Sequence, residues 1–128
     1  MPLTYTDEDA IRTAIGIDDE VLDDDAAEAL GVQAEDVIDE MLGAGWPDED
    51  TGRKIVEADV DDWQWEKLGR ATAAAAKFLY QHPDWLSEQR YSSVGGDVSG
   101  AQRVGSPMPE VSIILNQSGL RRLTGTAL

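Results

Sequence analysis

Apolar side chains in the first two thirds of the chain recur every three or four residues, the spacing that places them on one face of an α-helix. The first such stretch follows Thr6, whose hydroxyl can cap a helix, and three acidic residues at 7–9 that favour the positive end of the helix dipole. Ile11 and Ile15 share its apolar face, and Gly16 follows. The pattern predicts a first helix that runs to about Ile15.

A second helix is predicted to begin near the aspartates at 23–25 and to run to about Leu42. Its apolar face keeps one phase through Gly31, which favours one helix over two, although glycine costs a helix about 1 kcal/mol relative to alanine. The residues that set this phase are Ala26, Leu30, Ala34, Val37 and Met41. Gly43, Gly45 and Pro47 then end the helix, and 43–54 is predicted to be a loop.

The third predicted helix spans about 60–81 and is capped by Asp59 or Asp61. It stops before Pro83, because a residue that precedes proline is disfavoured in the helical region. Its apolar stripe consists of Trp65, Leu68, Thr72, Ala75 and Leu79. One further helical turn is predicted at 84–89.

The rear of the chain has a different character. Residues 92–110 are rich in glycine and serine, which predicts an extended arm, and the β-branched run VSIIL at 111–115 predicts a short strand. No second strand is evident, so pairing with another subunit is favoured over a small sheet within the monomer. The predicted subunit or portal interface comprises Val111, Ser112, Ile113, Ile114, Leu115, Leu120, Arg121, Arg122, Leu123, Trp85 and Tyr91.

These elements together predict a mainly α fold. The predicted architecture is a small helical bundle of three to four helices over residues 1–91, followed by an extended C-terminal arm over 92–128 that contains the strand 111–115. A chain of 128 residues is long enough for one small core.

Charge divides the chain into two parts. Residues 1–66 hold 22 of the 26 Asp and Glu and carry a net charge of −19, whereas 67–128 carry +3. Such a polarised molecule is suited to assembly with acidic or polar partners. The 16 Asp against 10 Glu and the three Lys against seven Arg also favour a halophilic source, since salt near 1 M shortens the screening length to about 3 Å. An ordinary acidic surface is the alternative.

The composition predicts neither an enzyme nor a bound cofactor or metal. The chain has no cysteine, and its one histidine, His82, precedes a proline, where a solvent-facing or helix-end position is expected. Asp48, Asp50 and Gly52 only weakly suggest a calcium loop, because the glycine falls where a ligand belongs. No signal peptide is recognised, and no apolar run approaches the roughly 20 residues of a membrane-spanning helix.

Three stretches of the sequence carry a resemblance to a known family. They are 3–15 (LTYTDEDAIRTAI), 70–85 (RATAAAAKFLYQHPDW) and 87–99 (SEQRYSSVGGDVS). In this order of parts the chain resembles the helical head-to-tail connector, or adaptor, proteins of long-tailed double-stranded DNA viruses. The likeness covers about residues 1–100, and the segments VSIIL and LRRL have no counterpart in it.

The resemblance implies a structural protein of the virion, located at the head-tail junction after assembly in the host cytoplasm. It implies a ring, usually of twelve copies, that binds the portal protein on one side and a tail-side connector or tail protein on the other. Genome DNA would pass through the lumen without specific binding, because an acidic wall offers phosphate no cation to bind.

Two other classes of function stay open. The first is an acidic DNA-mimic inhibitor of a nucleic-acid enzyme, whose carboxylates would copy the spacing of phosphates. The second is an acidic interaction domain of a halophile. Ring formation distinguishes the connector from both alternatives.

Overall fold

A computed structural model describes residues 3–43, 46–85 and 108–120. These ranges form four α-helices: α1 (Glu8–Ile15), α2 (Asp24–Leu42), α3 (Asp62–Gln81) and α4 (Pro109–Ser118). A single turn of 3₁₀-helix (Glu57–Asp59) precedes α3, and the described ranges contain no strand. The prediction of a mainly α fold built as a small helical bundle is therefore confirmed.

Aspartates begin the first three helices. The carboxylate of Asp7 accepts the amide of Ala10 at 2.8 Å, and that of Asp23 accepts the amide of Ala26 at 2.9 Å. Asp61 precedes α3, and its own amide donates to a side-chain oxygen of Gln64 at 3.0 Å. Each arrangement satisfies a backbone donor that lacks a partner within its helix. The cap of α1 is thus Asp7 and not the predicted Thr6.

The helix α2 continues through Gly31 without a break, as the apolar phase predicts. A Cβ at this position would lie 2.6–2.8 Å from side-chain carbons of Leu3 and Ile11. The lack of a side chain at Gly31 thus lets the ends of the Leu3 and Ile11 side chains pack closely against α2.

The central helix of the bundle is α3, which packs against α1, α2 and α4. Its buried face includes Leu68, Ala75 and Leu79, and most of its buried positions are alanine. Small side chains allow the neighbouring helices to approach closely. The helix ends at Gln81, where prediction and structure agree.

The prediction of a strand at 111–115 is wrong, because these residues form the middle of α4. Val111, Ile114, Leu115 and Ser118 are buried at the spacing of one helix face. Pro109 occupies the start of the helix, and Gly119 ends it with a φ of 71°. Burial against α3 outweighs the strand preference of the β-branched residues.

The same segment is also not part of an extended arm. Met108, Leu115 and Leu120 are almost completely buried, and α4 makes extensive contacts with α3. Residues 108–120 therefore complete the bundle as its fourth helix. The predicted boundary at residue 91 and the glycine-rich stretch 92–107 lie outside the described residues, as do 86–89 of the predicted extra helical turn.

Among the described helices, none has both the length and the apolar character needed to cross a bilayer.

The helical register of α4 predicts a sharp difference between two neighbouring substitutions. Leu115→Ala should lower the free energy of unfolding by about 2–5 kcal/mol, because Leu115 is fully buried. Ile113→Ala should change it by less than about 0.5 kcal/mol, because Ile113 is 56% exposed. Urea unfolding of both variants measures the difference. In a strand the two residues would share a face, so equal losses would contradict the helix.

Candidate functional site

A groove lies between α1 and α4, with α3 at its base. It has a volume of about 580 Å³. Its lining residues are Tyr5, Thr6, Asp7, Ala10, Thr13, Ala14, Trp65, Glu66, Gly69, Arg70, Ala73, Ala74, Lys77, Glu110 and Ile114. A groove of this size can hold a large side chain or a short peptide segment.

Small residues from two helices make the groove deep enough to receive a side chain. Alanines at 10 and 14 come from α1, and Gly69 with two alanines at 73 and 74 comes from α3. Trp65 and Ile114 add larger apolar walls, and Arg70 and Lys77 place cations along α3. The groove therefore offers an apolar surface bordered by two cations and by the carboxylates of Asp7, Glu66 and Glu110.

Gly69 determines how the N-terminal segment reaches this groove. A Cβ at Gly69 would lie 2.9 Å from the backbone oxygen of Tyr5, so only glycine lets the segment cross α3 this closely. The ring of Tyr5 then meets the ring of Trp65 edge to face, with centroids 5.8 Å apart. These two rings line one part of the groove.

A buried carboxylate holds the N-terminal segment in place. The side chain of Glu35, on α2, is fully buried, and its Oε2 accepts the amides of Thr4 and Tyr5 at 2.7 and 2.6 Å. The hydroxyl of Tyr5 donates to Asp39 at 2.5 Å and accepts the amide of Ile55 at 3.1 Å. The N-terminal segment is thus bonded to both α2 and the segment that precedes α3.

Arg53 is an ion-pair partner of three carboxylates in this cluster. Its Nε lies 3.2 Å from Glu35 Oε1, and one terminal nitrogen lies 2.6 Å from Asp36 and 3.2 Å from Asp39. The arginine is itself buried. We call Tyr5, Glu35, Asp36, Asp39 and Arg53 the buried ionic cluster. Its three carboxylates share one guanidinium, and each of them meets it through a single oxygen.

Burial and hydrogen bonding act in opposite directions in this cluster. Burial raises the pKa of Glu35, although the amides of Tyr5 and Thr4 and the charge of Arg53 pull it down. Burial, followed by the bond to Asp39, raises the pKa of Tyr5, which therefore keeps its proton. Burial alone would lower the pKa of Arg53, but hydrogen bonds to Asp36 and Asp39 raise it overall.

A second buried arginine fixes the turn between α1 and α2. Arg12 pairs with Asp9 at 2.7 Å and with Asp24 at 3.0 Å, and it donates to the backbone oxygen of Leu22 at 3.1 Å. Hydrogen bonds to Asp9 and Asp24 raise its pKa. Arg12 and Arg53, the two arginines of residues 1–66, thus both form ion pairs within the fold.

Several large apolar side chains face solvent instead of the core. Trp46 is 92% exposed and Val21 is 62% exposed, both in loops, and Trp63 is 51% exposed on α3. Trp63 and Trp65 lie on different faces of α3, as their spacing predicts. Trp46 is the most exposed of these side chains.

A hydrogen-bonded turn at 48–53 follows Trp46 in the same loop. The carboxylate of Asp48 accepts the amides of Asp50 and Thr51, and the amide of Asp48 donates to the backbone oxygen of Arg53 at 2.8 Å. The ammonium of Lys54 donates a hydrogen bond to the backbone oxygen of Gly43, at the end of α2. The tryptophan therefore precedes a folded turn.

The residues predicted as an interface are mostly occupied within this chain. Val111, Ile114, Leu115 and Leu120 are buried, and Ser112 is half-buried. Trp85 is also buried, with its ring edge to face on Phe78 at 5.6 Å. Ile113 alone of this described group is exposed. Tyr91, Arg121, Arg122 and Leu123 lie outside the described residues, and the interface role of the whole set stays a prediction.

Sequence reasoning missed both the groove and Trp46. The alanines at 73–76 favour close helix contact, but nothing in their order shows that 73 and 74 border an open groove. Trp46 follows a glycine and precedes a proline, which indicates a loop, yet tryptophan is by default a core residue. The acidic residues at 48–50, close after Trp46, were the sign in the sequence that this tryptophan is exposed.

The structure also places His82 and Asp48, which are the sequence's candidates for catalysis and metal binding. His82 ends α3, is exposed and stacks on Phe78 with ring centroids 4.3 Å apart. Within 3–43, 46–85 and 108–120, no group of three or more His, Asp or Glu side chains is arranged to hold a metal ion. Asp48 instead uses its carboxylate within its own turn.

Comparisons with family models, with curated proteins and with solved structures give no match. What the chain does is therefore inferred from its own residues.

The raised pKa of Glu35 predicts how the variant Glu35→Gln responds to pH. Because the folded chain holds the Glu35 proton more tightly than the unfolded chain, the wild type loses stability from this group as the pH rises from about 4.5. Glutamine lacks this loss. The free energy of unfolding of Glu35→Gln relative to wild type should therefore increase between pH 4.5 and 7, measured by urea unfolding.

A matched control is Glu40→Gln, which removes a negative charge from an exposed position on the same helix. It separates burial from the change in net charge. A wild-type advantage that grows with pH, relative to this control, would show that Arg53 and the backbone amides outweigh burial at Glu35.

Proposed function

We propose that this chain is a structural protein of a tailed virus, a head-to-tail connector that forms a ring beneath the portal and joins capsid to tail. Its partners are further copies of itself, the portal protein and a tail-side connector or tail protein. The finished protein is part of the virion, and it assembles in the host cytoplasm. Genome DNA passes through the ring without specific binding.

The helix order supports the proposal. A short capped helix, a longer second helix and a long third helix follow one another as α1, α2 and α3, in the order that the sequence resemblance implies. The fourth helix was not expected from that resemblance. It adds a wall to the groove and so contributes to the same surface.

The observation that carries the proposal is the exposure of Trp46, which lies two residues before a hydrogen-bonded turn. Tryptophan is among the residues most enriched at the energetic centre of protein interfaces, and it is rarely left in water. A 92% exposed tryptophan, together with an apolar groove elsewhere on the surface, is typical of a protein that functions by binding other proteins.

The distribution of charge supports a position next to DNA that the protein does not bind. The front half carries −19, and the carboxylates of the α1–α2 turn are exposed. Acidic surface repels the phosphate backbone and gives a duplex no counter-charge to bind. A lumen wall with this composition would let DNA slide past.

A DNA-mimic inhibitor is the second candidate, and one observation favours it. Six exposed carboxylates lie close together in sequence around the start of α2: Asp18, Asp19, Glu20, Asp23, Asp24 and Asp25. A dense row of carboxylates can occupy a basic nucleic-acid site. Such an inhibitor would act as a small complex with a basic enzyme and would have no need of a ring.

The size of the assembly tests the proposal. Sedimentation of the purified chain in about 1 M salt, alone and mixed with the portal protein of the same virus, should give a ring with about twelve times the 13.9 kDa of one chain. Negative-stain images of the same sample should show a closed ring. A chain that stays monomeric at every concentration and does not bind the portal would contradict the proposal, and inhibition of a nucleic-acid enzyme would then favour the DNA mimic.

A further inference from the structure

Two surface features of this chain complement each other in shape. One is Trp46, which has 92% of its surface exposed. The other is the groove between α1 and α4, whose base of glycine and alanine leaves room for a large side chain. A tryptophan offers about 150–250 Å² of surface to bury, which makes it a suitable occupant of such a groove.

Two exposed acids near Trp46 and two cations of the groove are opposite in charge. Glu49 and Asp50 follow Trp46 and are exposed, whereas Asp48 is used within the turn. In the groove, Arg70 and Lys77 stand seven residues apart on α3, which is about 10 Å along one side of the helix. The smallest side chains of the base, at 73 and 74, lie between them. A tryptophan seated there would place acidic neighbours beside both cations.

Recognition of the partner depends on where the charged residues of the groove lie and not on the net charge of the groove. Asp7, Glu66 and Glu110 also line the groove, so its carboxylates outnumber its two cations. An acidic segment gains only if its carboxylates lie beside Arg70 and Lys77 while its apolar residue enters between them. A cation beside the groove can also interact with the face of the tryptophan ring.

We propose that the groove of one copy receives Trp46 of a neighbouring copy, with Glu49 and Asp50 beside Arg70 and Lys77. The proposal rests on the proposed function, because it names the surfaces that join neighbouring copies. Within one chain Trp46 is exposed to solvent, so its own groove does not hold it. The two surfaces are different patches, so the contact is heterologous and repeats from copy to copy around a ring.

Truncation of the tryptophan is the first test. Trp46→Ala should weaken association between copies at least about tenfold, because loss of an aromatic anchor removes a dominant part of an interface. Sedimentation over a range of concentrations in about 0.15 M and 1 M salt measures this. Val21→Ala is the matched control, since it truncates another exposed apolar side chain in a different loop. It should leave association unchanged.

Filling the groove is the reciprocal test. Ala74→Trp places a large side chain in the groove and should weaken association to a similar extent as Trp46→Ala. Ala29→Trp introduces the same residue at an exposed position of α2, outside the groove, and should not. Circular dichroism of each variant establishes that the helices are intact.

A cross-link locates the contact directly. The chain has no cysteine, so only introduced thiols can pair. Mixed under oxidising conditions, Asp50→Cys and Lys77→Cys chains, which differ in mass by a tag, should give a mixed disulfide dimer. Asp50→Cys mixed with Ala29→Cys should give no such product above background. Reduction should reverse the link.

The outcomes separate this inference from the proposed function. A ring that forms equally well with Trp46→Ala and Ala74→Trp would overturn the inference and leave the connector proposal standing. A wild-type chain that forms no assembly, alone or with the portal protein, would overturn both. Weakening by both variants, normal behaviour of both controls and the specific cross-link would establish the contact.

Discussion

The buried carboxylate of Glu35 is the constraint on which the rest of the structure depends. A chain with a net charge of −16 places this side chain at 0% exposure, where an uncompensated charge is very costly. Arg53 and the amides of Thr4 and Tyr5 compensate this charge in part, since Oε1 accepts no hydrogen bond and burial still raises the pKa of Glu35. Removing one partner of such a buried pair typically costs about 3–5 kcal/mol. These groups are therefore held together even though most of the acidic surface repels itself.

Both surfaces of the proposed assembly contact are attached to this cluster. Tyr5, which is bonded to Glu35 and Asp39, lines the groove and meets Trp65 there. The backbone oxygen of Arg53 accepts the amide of Asp48 and so closes the turn 48–53, which follows Trp46 and Pro47. The cluster is thus bonded to one wall of the groove and to the turn that follows the tryptophan.

Local patterns in the sequence were sufficient for three of the helices, because aspartate caps, apolar phase and the proline after α3 act within a few residues. The fourth helix was predicted as a strand because the β-branched run VSIIL was given more weight than the helical spacing of Val111, Ile114, Leu115 and Ser118. The buried ionic cluster could not be predicted, since its bonds join residues 14 to 50 positions apart, such as Arg53 to Asp39 and Tyr5 to Ile55. The groove is equally non-local, because three helices form it.

Amide hydrogen exchange tests most directly whether the cluster organises the fold. The amides of Thr4, Tyr5 and Ile55 donate to side chains of the cluster, outside the hydrogen bonds of any helix. If the cluster holds the bundle together, these amides should exchange only through global unfolding, with the same free energy of opening as the amide of Leu68 in the core of α3. Exchange of these three amides at the rate of an exposed loop, while Leu68 stays protected, would contradict the account.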